Sequence, residues 1–245
     1  MAKVDWNLFE FGAASSFTQD TSDADINPTQ VSPGGSQKSL EITIPPGWTG
    51  ASPNPVFGYI YNGPDKPEFP LGDGQMSFAI RSGGGQFEVA GLIIRSQVDL
   101  SGPIGSPNDL NYYMFGLTQD ETVSSNNGSF RLFRVVNGVV TAIGGGPFLI
   151  SVVDLSTDFC QVEIRAINVG PNIEFYWRRN NGSQLTTPGS PGWTGFGLLA
   201  VDSTPGVLIN PGHWGFGIAS RNFGSISGTH VFNFDRIQIT QEIIG

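Results

Sequence analysis

The sequence has little cysteine, histidine and charge, and each shortage excludes a class of site or protein. The single cysteine, Cys160, has no partner for an intramolecular disulfide. Together with two histidines, His213 and His230, it is too little for the closed ligand set of a zinc site. No stretch approaches the roughly 18 apolar residues of a membrane-spanning helix. Because the first eleven residues also lack the apolar run of a signal peptide, we expect synthesis in a cytoplasm without secretion.

Charge is scarce and mostly acidic. Only 13% of the 245 residues are charged, and the formal net charge is −9. An acidic surface repels the phosphates of nucleic acids and of anionic membranes, so we expect neither as a partner. The chain is rich instead in glycine (34) and proline (17), and 38% of it is hydrophobic. This combination is typical of many short strands joined by sharp turns around an apolar core.

Alternation of apolar and polar residues is the main pattern that is present. Four segments show it: 38–44, 75–81, 160–167 and 172–179. A period of two predicts antiparallel strands with one face in the core and one in water. Segments 89–97 and 111–118 are more continuously apolar, which predicts central strands that are covered on both faces.

Turn residues separate these segments. Asn137-Gly138 and Gly170-Pro171-Asn172 predict two hairpins. Surface loops are predicted for four stretches rich in Gly, Pro, Asn and Ser: 12–37, 45–74, 101–109 and 179–212. Together the patterns predict an all-β fold, a single antiparallel β-sandwich domain over residues 1–245 with almost no helix. Residues 1–27 form either its first strand or an arm that reaches a neighbour.

The last predicted strand changes phase. Phe232 and Phe234 share one parity, whereas Ile237 and Ile239 share the other. A β-bulge inserts one extra residue into a strand and reverses the parity beyond it. A bulge near Asp235-Arg236 is therefore predicted, and it would keep all four apolar residues on the core side.

From residue 89 onward the order of segments resembles the concanavalin A-like (laminin-G-like) β-sandwich superfamily of lectins and glucanases. The resemblance is carried by AGLIIRSQ, NYYMFGL, SFRLFRVVNGVV, QVEIRAINVGPNIEFYW, GHWGFGIAS and VFNFDRIQI, and at the front by NLFEF and SQKSLEIT. It implies two large antiparallel sheets packed face to face in a jelly-roll order. Function is not implied, because the superfamily contains lectins, carbohydrate-binding modules, glycoside hydrolases and virion proteins.

The same resemblance implies a structural calcium ion, held between an acid near the N-terminus and the aspartate of the last strand. Glu10 and Asp235 match those places, and Asp20, Asp23 or Asp25 would add oxygen ligands of the kind that calcium prefers. The alternative is that Asp235 accepts hydrogen bonds at the bulge, while the aspartates of 20–25 form a solvated acidic loop.

Candidate catalytic groups are few. Glycoside hydrolysis uses two carboxylates about 5–10 Å apart. The ExDxxE strand of hydrolases in the resembled superfamily is absent from the sequence. Glu163 and Glu174 alternate with apolar residues on separate predicted strands, which predicts solvent-facing side chains. Neither histidine has the neighbours of a nucleophilic triad. We therefore expect a non-enzymatic protein.

The pentapeptide PGWTG occurs twice, at 46–50 and at 191–195. Glycine and proline beside tryptophan predict an indole that is mounted on a tight turn. Trp48 and Trp193 would then cover the core, contact another protein, or stack on a sugar beside converging amide and carboxylate groups. The adjacent Arg178 and Arg179 predict either a solvated hairpin end or a contact for an acidic partner.

These features together favour a structural virion protein of a bacteriophage, as a capsid decoration, outer capsid or tail-associated component made in the host cytoplasm. Its expected partners are other virion proteins or further copies of itself in a homo-oligomer. The first alternative is a lectin-like module for host-surface glycan, and the second is a glycoside hydrolase with an unrecognised acid pair. No cofactor besides the calcium ion is expected.

Overall fold

Among the described residues, two antiparallel β-sheets and a 3₁₀ turn at Gly206–Ile209 make up the regular structure of the protein in a computed structural model. No helix among the described residues is long and apolar enough to cross a membrane. The residues that the structure describes are 3–4, 17–19, 27–31, 39–44, 56–61, 72–83, 89–97, 110–118, 129–144, 159–182, 186, 188–219 and 230–241.

Sheet A has eight of the described strands. Seven of them follow the order β13 (Gly197–Asp202), β12 (Asn172–Arg179), β11 (Cys160–Val169), β6 (Gly74–Gly83), β15 (His230–Gln241), β4 (Ser39–Ile44) and β3 (Asn27–Val31). The eighth, β1 (Lys3–Val4), pairs with the far end of β15. Neighbours along the sheet are mostly distant in sequence, so long-range pairing dominates the topology.

Sheet B has seven of the described strands. Their order is β10 (Val139–Gly144), β9 (Ser129–Val136), β8 (Tyr112–Thr118), β7 (Val89–Ser96), β14 (His213–Ala219), β5 (Val56–Tyr61) and β2 (Phe17–Gln19). The predicted fold class, an all-β antiparallel sandwich, is confirmed.

Alternate side chains of both sheets point inward and form one apolar core. Phe78 and Phe234 of sheet A lie with ring centroids 6.2 Å apart. Phe78 meets Phe130 of sheet B edge-on at 6.2 Å, and Phe234 meets Phe216 at 5.2 Å. All four rings are buried. Burying each such side chain contributes roughly 1.5–3 kcal/mol relative to leaving it exposed.

The central strands of sheet B are buried on both faces, as their continuous apolar sequence predicts. Leu92 and Phe115 are paired across β7 and β8 and face the core. The opposite parity is buried as well: Ile93, Tyr112, Met114, Phe133 and Val135 are at most 3% exposed. The outer side of this sheet is therefore a second apolar layer.

Both predicted hairpins are present. Asn137 and Gly138 join β9 to β10 with φ values of 51° and 75°, the positive values that a two-residue type I′ turn requires. Gly170 and Pro171 join β11 to β12, and Val169 pairs with Asn172 across that turn. Turn chemistry alone was sufficient to locate both hairpins.

The predicted bulge in the last strand is also present. Asp235 pairs with Ala79 and Gln238 pairs with Ser77, so β15 has one residue more than β6 between these two pairs. Phe232, Phe234 and Ile237 are all buried, on both sides of the change of parity. The bulge keeps the apolar residues of this central strand in the core.

Three of the four stretches predicted as loops contain strands, and to that extent the prediction was wrong. Strands β2 and β3 lie within 12–37, β5 lies within 45–74, and β13 lies within 179–212. These strands are short, and VFGYIY and GLLAVD do not alternate cleanly. They form strands because they pair with longer neighbouring strands. Such long-range pairing cannot be predicted from local composition. The stretch 101–109 lies outside the described residues.

A buried arginine holds one end of the sandwich together. Arg95 has a φ of 55° at a bulge of β7 and is fully buried. Its Nη1 donates to Asn168 Oδ1 at 2.7 Å, and its Nη2 lies 3.2 Å from Asp73 Oδ1. Burial lowers its pKa, while the Asp73 carboxylate acts in the opposite direction. This ion pair connects the two sheets.

The single cysteine is an inert core residue, as predicted. Cys160 opens β11 opposite Ile80 and is 1% exposed. Burial raises the pKa of its thiol to about 12, and the nearby Arg179 only partly opposes that effect. The reactive thiolate is therefore almost absent at neutral pH.

A second polar bridge joins the sheets near their β13 edge. The Tyr113 hydroxyl donates to Asp202 Oδ2 at 2.7 Å, and Arg134 Nη1 donates to Asp202 Oδ1 at 2.9 Å. Arg134 also donates to the carbonyl and the hydroxyl oxygen of Thr204. Tyr113 and Arg134 belong to sheet B, and Asp202 ends β13, the edge strand of sheet A.

We expect Tyr113→Phe to lower the free energy of unfolding at neutral pH by about 1–3 kcal/mol, because a buried carboxylate oxygen of Asp202 loses its donor. Burial and the bond to Asp202 raise the pKa of Tyr113 above its unfolded value of about 10. Its contribution to stability is therefore complete below about pH 10 and is lost as the pH rises further. Chemical denaturation at neutral and alkaline pH measures both effects.

The control for this substitution is Tyr176→Phe, which removes a hydroxyl from the outer surface of sheet A and should change stability less. Burial also raises the pKa of Tyr112, so the alkaline loss of stability should persist in Tyr113→Phe with a shallower slope. If Tyr113→Phe is as stable as the wild type at neutral pH, the hydrogen bond from Tyr113 to Asp202 does not stabilise the fold.

Candidate functional site

The outer face of sheet A carries a polar row across its strands β6, β11 and β12. Glu163 pairs with Arg178, and Arg165 pairs with Tyr176 on one side and with Gln75 on the other. These residues have the parity opposite to Ile164 and Ala166, which are buried in the core. Alternation along three paired strands therefore brings their side chains together.

Hydrogen bonds link this row into one network. Arg165 donates through Nε and Nη2 to Gln75 Oε1, at 3.0 and 2.8 Å. Gln75 Nε2 in turn donates to Glu163 Oε1, and Arg178 Nε donates to Glu163 Oε2. The side chain of Glu163 is only 5% exposed. The prediction that it faces solvent was wrong, because its charge is compensated by Arg178 in the neighbouring strand.

The second PGWTG segment forms a tight turn that brings its indole onto this face. Trp193 N–H donates to Ser190 O at 3.2 Å, Pro191 follows Ser190, and Gly192 has a φ of 103°. Proline and then a residue with positive φ are the signature of a type II turn. The prediction of a turn-mounted indole is confirmed at Trp193.

A buried amide pair holds the Trp193 turn in place. Gln161 Oε1 accepts from Asn180 Nδ2 at 2.9 Å and from the Thr186 N–H at 2.8 Å, while Gln161 Nε2 donates to Thr186 O at 2.9 Å. Thr186 Oγ1 then accepts from Trp193 Nε1 at 2.9 Å and from Asn180 Nδ2 at 3.2 Å. The indole of Trp193 is therefore held by Thr186, and Thr186 is held in turn by the buried amide of Gln161.

Two guanidinium groups pack on the rings of this segment. Phe196 contacts both, with its ring centroid 4.5 Å from Arg165 Cζ and 4.4 Å from Arg178 Cζ. Arg178 Cζ is also 5.5 Å from the centroid of Trp193. We call Arg165, Arg178, Trp193 and Phe196 the arginine–aromatic cluster. Such contacts contribute about 0.5–1 kcal/mol each at exposed positions and more where water is excluded.

All four members of the cluster are partly exposed, so the cluster is accessible at the surface. Tyr176 and Glu174 extend it along β12 toward the β11–β12 hairpin, and the Tyr176 hydroxyl donates to the Glu174 carboxylate. That hydrogen bond is the main reason why the pKa of Tyr176 is raised. The face thus presents aromatic rings beside guanidinium, amide and carboxylate groups.

The two glutamates of this face are too far apart to act as a glycosidase pair. Glu163 pairs with Arg178 and Glu174 pairs with Ile167, so they are four residues apart along the paired strands. Four residues of strand span about 13 Å, whereas the two carboxylates of a glycosidase lie about 5–9.5 Å apart.

The remaining predicted contact residues are separated from the cluster or not described. Arg179 has the core parity of β12, and its Nε donates to Asn181 Oδ1 at 3.1 Å. Trp48 lies outside the described residues. The two PGWTG segments therefore stay unconnected in what the structure describes.

The predicted calcium site stays a prediction. Glu10 and Asp20 lie outside the described residues, and of Asp235 only the backbone position in β15 is described. Within the described ranges no group of three or more His, Cys, Asp or Glu residues could hold a metal ion.

Sequence reasoning missed Arg165, Phe196, Gln161 and Thr186. Phe196 follows the second PGWTG segment directly, and Arg165 is the one basic residue of β11. An aromatic and a basic residue at these positions could therefore have been noted from the sequence. Their meeting depends on the pairing of β11 with β12 and on the path of the chain beyond β12. No local pattern in the sequence encodes that path.

No protein-family model matches the sequence, and no curated protein is significantly similar to it. Among solved structures, lectin I-B4 from Griffonia simplicifolia is similar over 99% of this chain and 100% of its own, with 10% identity and a TM-score of 0.47. The CBM2 module of the evolved Dit of Lactobacillus casei BL23 phage J-1 matches over 97% and 98%, with 11% identity and a TM-score of 0.42.

The alginate lyase vAL-1 from Chlorella virus matches over 99% of both chains, with 12% identity and a TM-score of 0.41. The two antiparallel sheets that the resemblance implies are present in the structure itself. Likeness at this level of identity concerns the fold and assigns no activity.

We expect Thr186→Val to loosen the Trp193 turn, because it removes the acceptor of both Trp193 Nε1 and Asn180 Nδ2. The loss of these bonds should cost about 1–2 kcal/mol of local stability and speed amide exchange in residues 186–196 roughly tenfold. Hydrogen–deuterium exchange with mass spectrometry measures the effect.

Thr141→Val makes the same change at an exposed position of β10 and is the matched control. Equal exchange of residues 186–196 in wild type and Thr186→Val would show that the turn does not depend on this hydroxyl.

Proposed function

We propose that this chain is a non-enzymatic carbohydrate-binding β-sandwich, with its glycan site at the arginine–aromatic cluster of sheet A. The observation that carries the proposal is the packing of Phe196 on Arg165 and Arg178, of which Arg178 also packs on the indole of Trp193. Pyranose rings present C–H groups that pack on aromatic faces, and their hydroxyls need polar partners around the ring.

Polar groups of the required kinds converge on this cluster. Gln75 supplies an amide, Glu174 a carboxylate and Tyr176 a hydroxyl, while both arginines supply donors. Many of these groups are already held by one another, as in the pair of Arg178 with Glu163. A site whose side chains are fixed before the ligand arrives loses little conformational entropy on binding.

The same contacts argue against hydrolysis at this site. Glu163 is held by two donors and nearly buried, and Glu174 lies about 13 Å along the sheet from it. Among the described residues, neither carboxylate has a partner acid placed to activate water on the other side of a glycosidic bond. The chemistry that remains is recognition through stacking and hydrogen bonds.

The test is a glycan array probed with the full chain, followed by titration calorimetry of the best ligand. We expect Phe196→Ala and Trp193→Ala each to weaken binding roughly tenfold or more, which corresponds to about 1.4 kcal/mol. Incubation of the same glycan with wild type should release no reducing sugar.

Val139→Ala is the control, because Val139 is an apolar residue, 67% exposed, on strand β10 of sheet B. The cluster lies on the outer face of sheet A, so binding should be retained. Equal loss in the control and in Phe196→Ala, or a wild type that binds no glycan, would overturn the proposal.

A structural role in a bacteriophage particle, as a decoration, outer capsid or tail-associated protein, is the second candidate function. It is supported by exposed apolar residues on the edge strands β10 and β13, since assembly contacts use such surfaces. A particle component should copurify with purified particles in a fixed ratio to the major capsid protein. Its absence from particles would remove this candidate and leave the glycan proposal intact.

A further inference from the structure

The exposed large hydrophobic residues of the described chain all belong to elements that meet at one side of the sandwich. They are Val139 and Val140 of β10, Val169 of the β11–β12 hairpin, Leu198 and Val201 of β13, and Val207 of the 3₁₀ turn. Val139 and Leu198 are 67% and 57% exposed. Single exposed apolar residues are ordinary, but a group gathered at one place marks a contact surface.

Several contacts bring these elements together. The approach of β10 to β13 is so close that a Cβ on Gly144 would lie 2.4 Å from the Cβ of Ala200. Arg134 of β9 bonds to Thr204, which follows β13. Ile173 in the β11–β12 hairpin pairs with Asp202. We call the exposed side of β10 and β13, with Val207, the apolar edge.

The apolar edge is almost free of charge in a strongly acidic chain. Residues 139–144 and 197–209 contain one charged residue, Asp202. That carboxylate is buried and paired with Arg134. With a net charge of −9, two copies repel each other over most orientations, and an uncharged surface is where they approach at the lowest electrostatic cost.

Both strands of the apolar edge also end their sheets. Within the described chain β10 has β9 as its one strand partner and β13 has β12. Edge strands of monomeric proteins are commonly protected by lysine, proline or charge. VVTAIG has none of these, and the one charge of GLLAVD is the buried Asp202. Unprotected edges offer unpaired backbone N–H and C=O groups to another strand.

We propose that the apolar edge is the interface between two copies of this chain, which pair through β13 about a two-fold axis. Antiparallel pairing of one strand with its own copy is self-complementary, so a single surface serves both subunits. The exposed Leu198 and Val201 of each copy then lie across the interface and become buried. Leu198 and Val201 pair with Tyr176 and Glu174 of β12, so the interface borders the proposed glycan site, and sedimentation tests it without any glycan present.

Sedimentation velocity of the full chain over a concentration series tests it. Wild type should sediment as a dimer, with twice the 26.2 kDa monomer mass. Leu198→Lys combined with Val139→Lys should give the monomer mass at the same concentrations, because each copy then places like charges across the interface. Circular dichroism confirms that the variants remain folded.

The control is Asn181→Lys, which adds the same charge at an exposed position away from the apolar edge and should leave the dimer intact. A wild type that stays monomeric throughout the series overturns the proposal. So does a dimer that survives the double substitution. If the double variant does not fold, Leu198→Lys alone, which adds one charge at an exposed site, decides between the same outcomes.

Discussion

The structure depends on a layer of aromatic rings between the two sheets. Phe78 and Phe234 from sheet A interlock with Phe130 and Phe216 from sheet B, and Phe115 continues the layer by stacking on Phe130 with 5.4 Å between centroids. Close packing of rings fixes which residues of each strand point inward. Because the side-chain period of a strand is two, a slip of one residue would expose every ring of that strand. The aromatic layer therefore sets the register of both sheets.

Register in turn determines the outer face and thus the candidate site. With Ile164 fixed inward on β11, Glu163 and Arg165 point outward, and pairing with β12 places Arg178 and Tyr176 beside them. The bulge of β15 also maintains register in the centre of sheet A. It reverses the parity of the strand at the point where its apolar residues change phase, so these residues stay in the core. The polar row on the outer face of sheet A is thus a consequence of the packing of the apolar core.

Local physics made part of this predictable. Alternation located strands such as β11 and β12, Asn137-Gly138 located a turn, and the phase change located the bulge. Strand β13 and the partners of Trp193 were not predictable, because they depend on which distant segment pairs with which. Glu163 shows the same limit. Its alternation with apolar residues was interpreted correctly as an outward orientation, but burial by Arg178 and Gln75 requires neighbours that lie 15 and 88 residues away in the chain.

The proposed glycan site borders the apolar edge, because β12 and Phe196 lie directly beside β13, and this gives their combination a physical meaning. Antiparallel pairing of β13 with its copy requires a two-fold axis perpendicular to the sheet, so the outer faces of both copies lie on the same side. The two β12 strands, which carry Arg178 and Tyr176, would then be separated by three strand spacings, or roughly 15 Å. Two weak sites held on one rigid surface bind a multivalent glycan far more tightly than either site alone. Pairing at the edge would therefore turn a shallow, partly exposed cluster into an effective adhesive surface without any change in its own contacts.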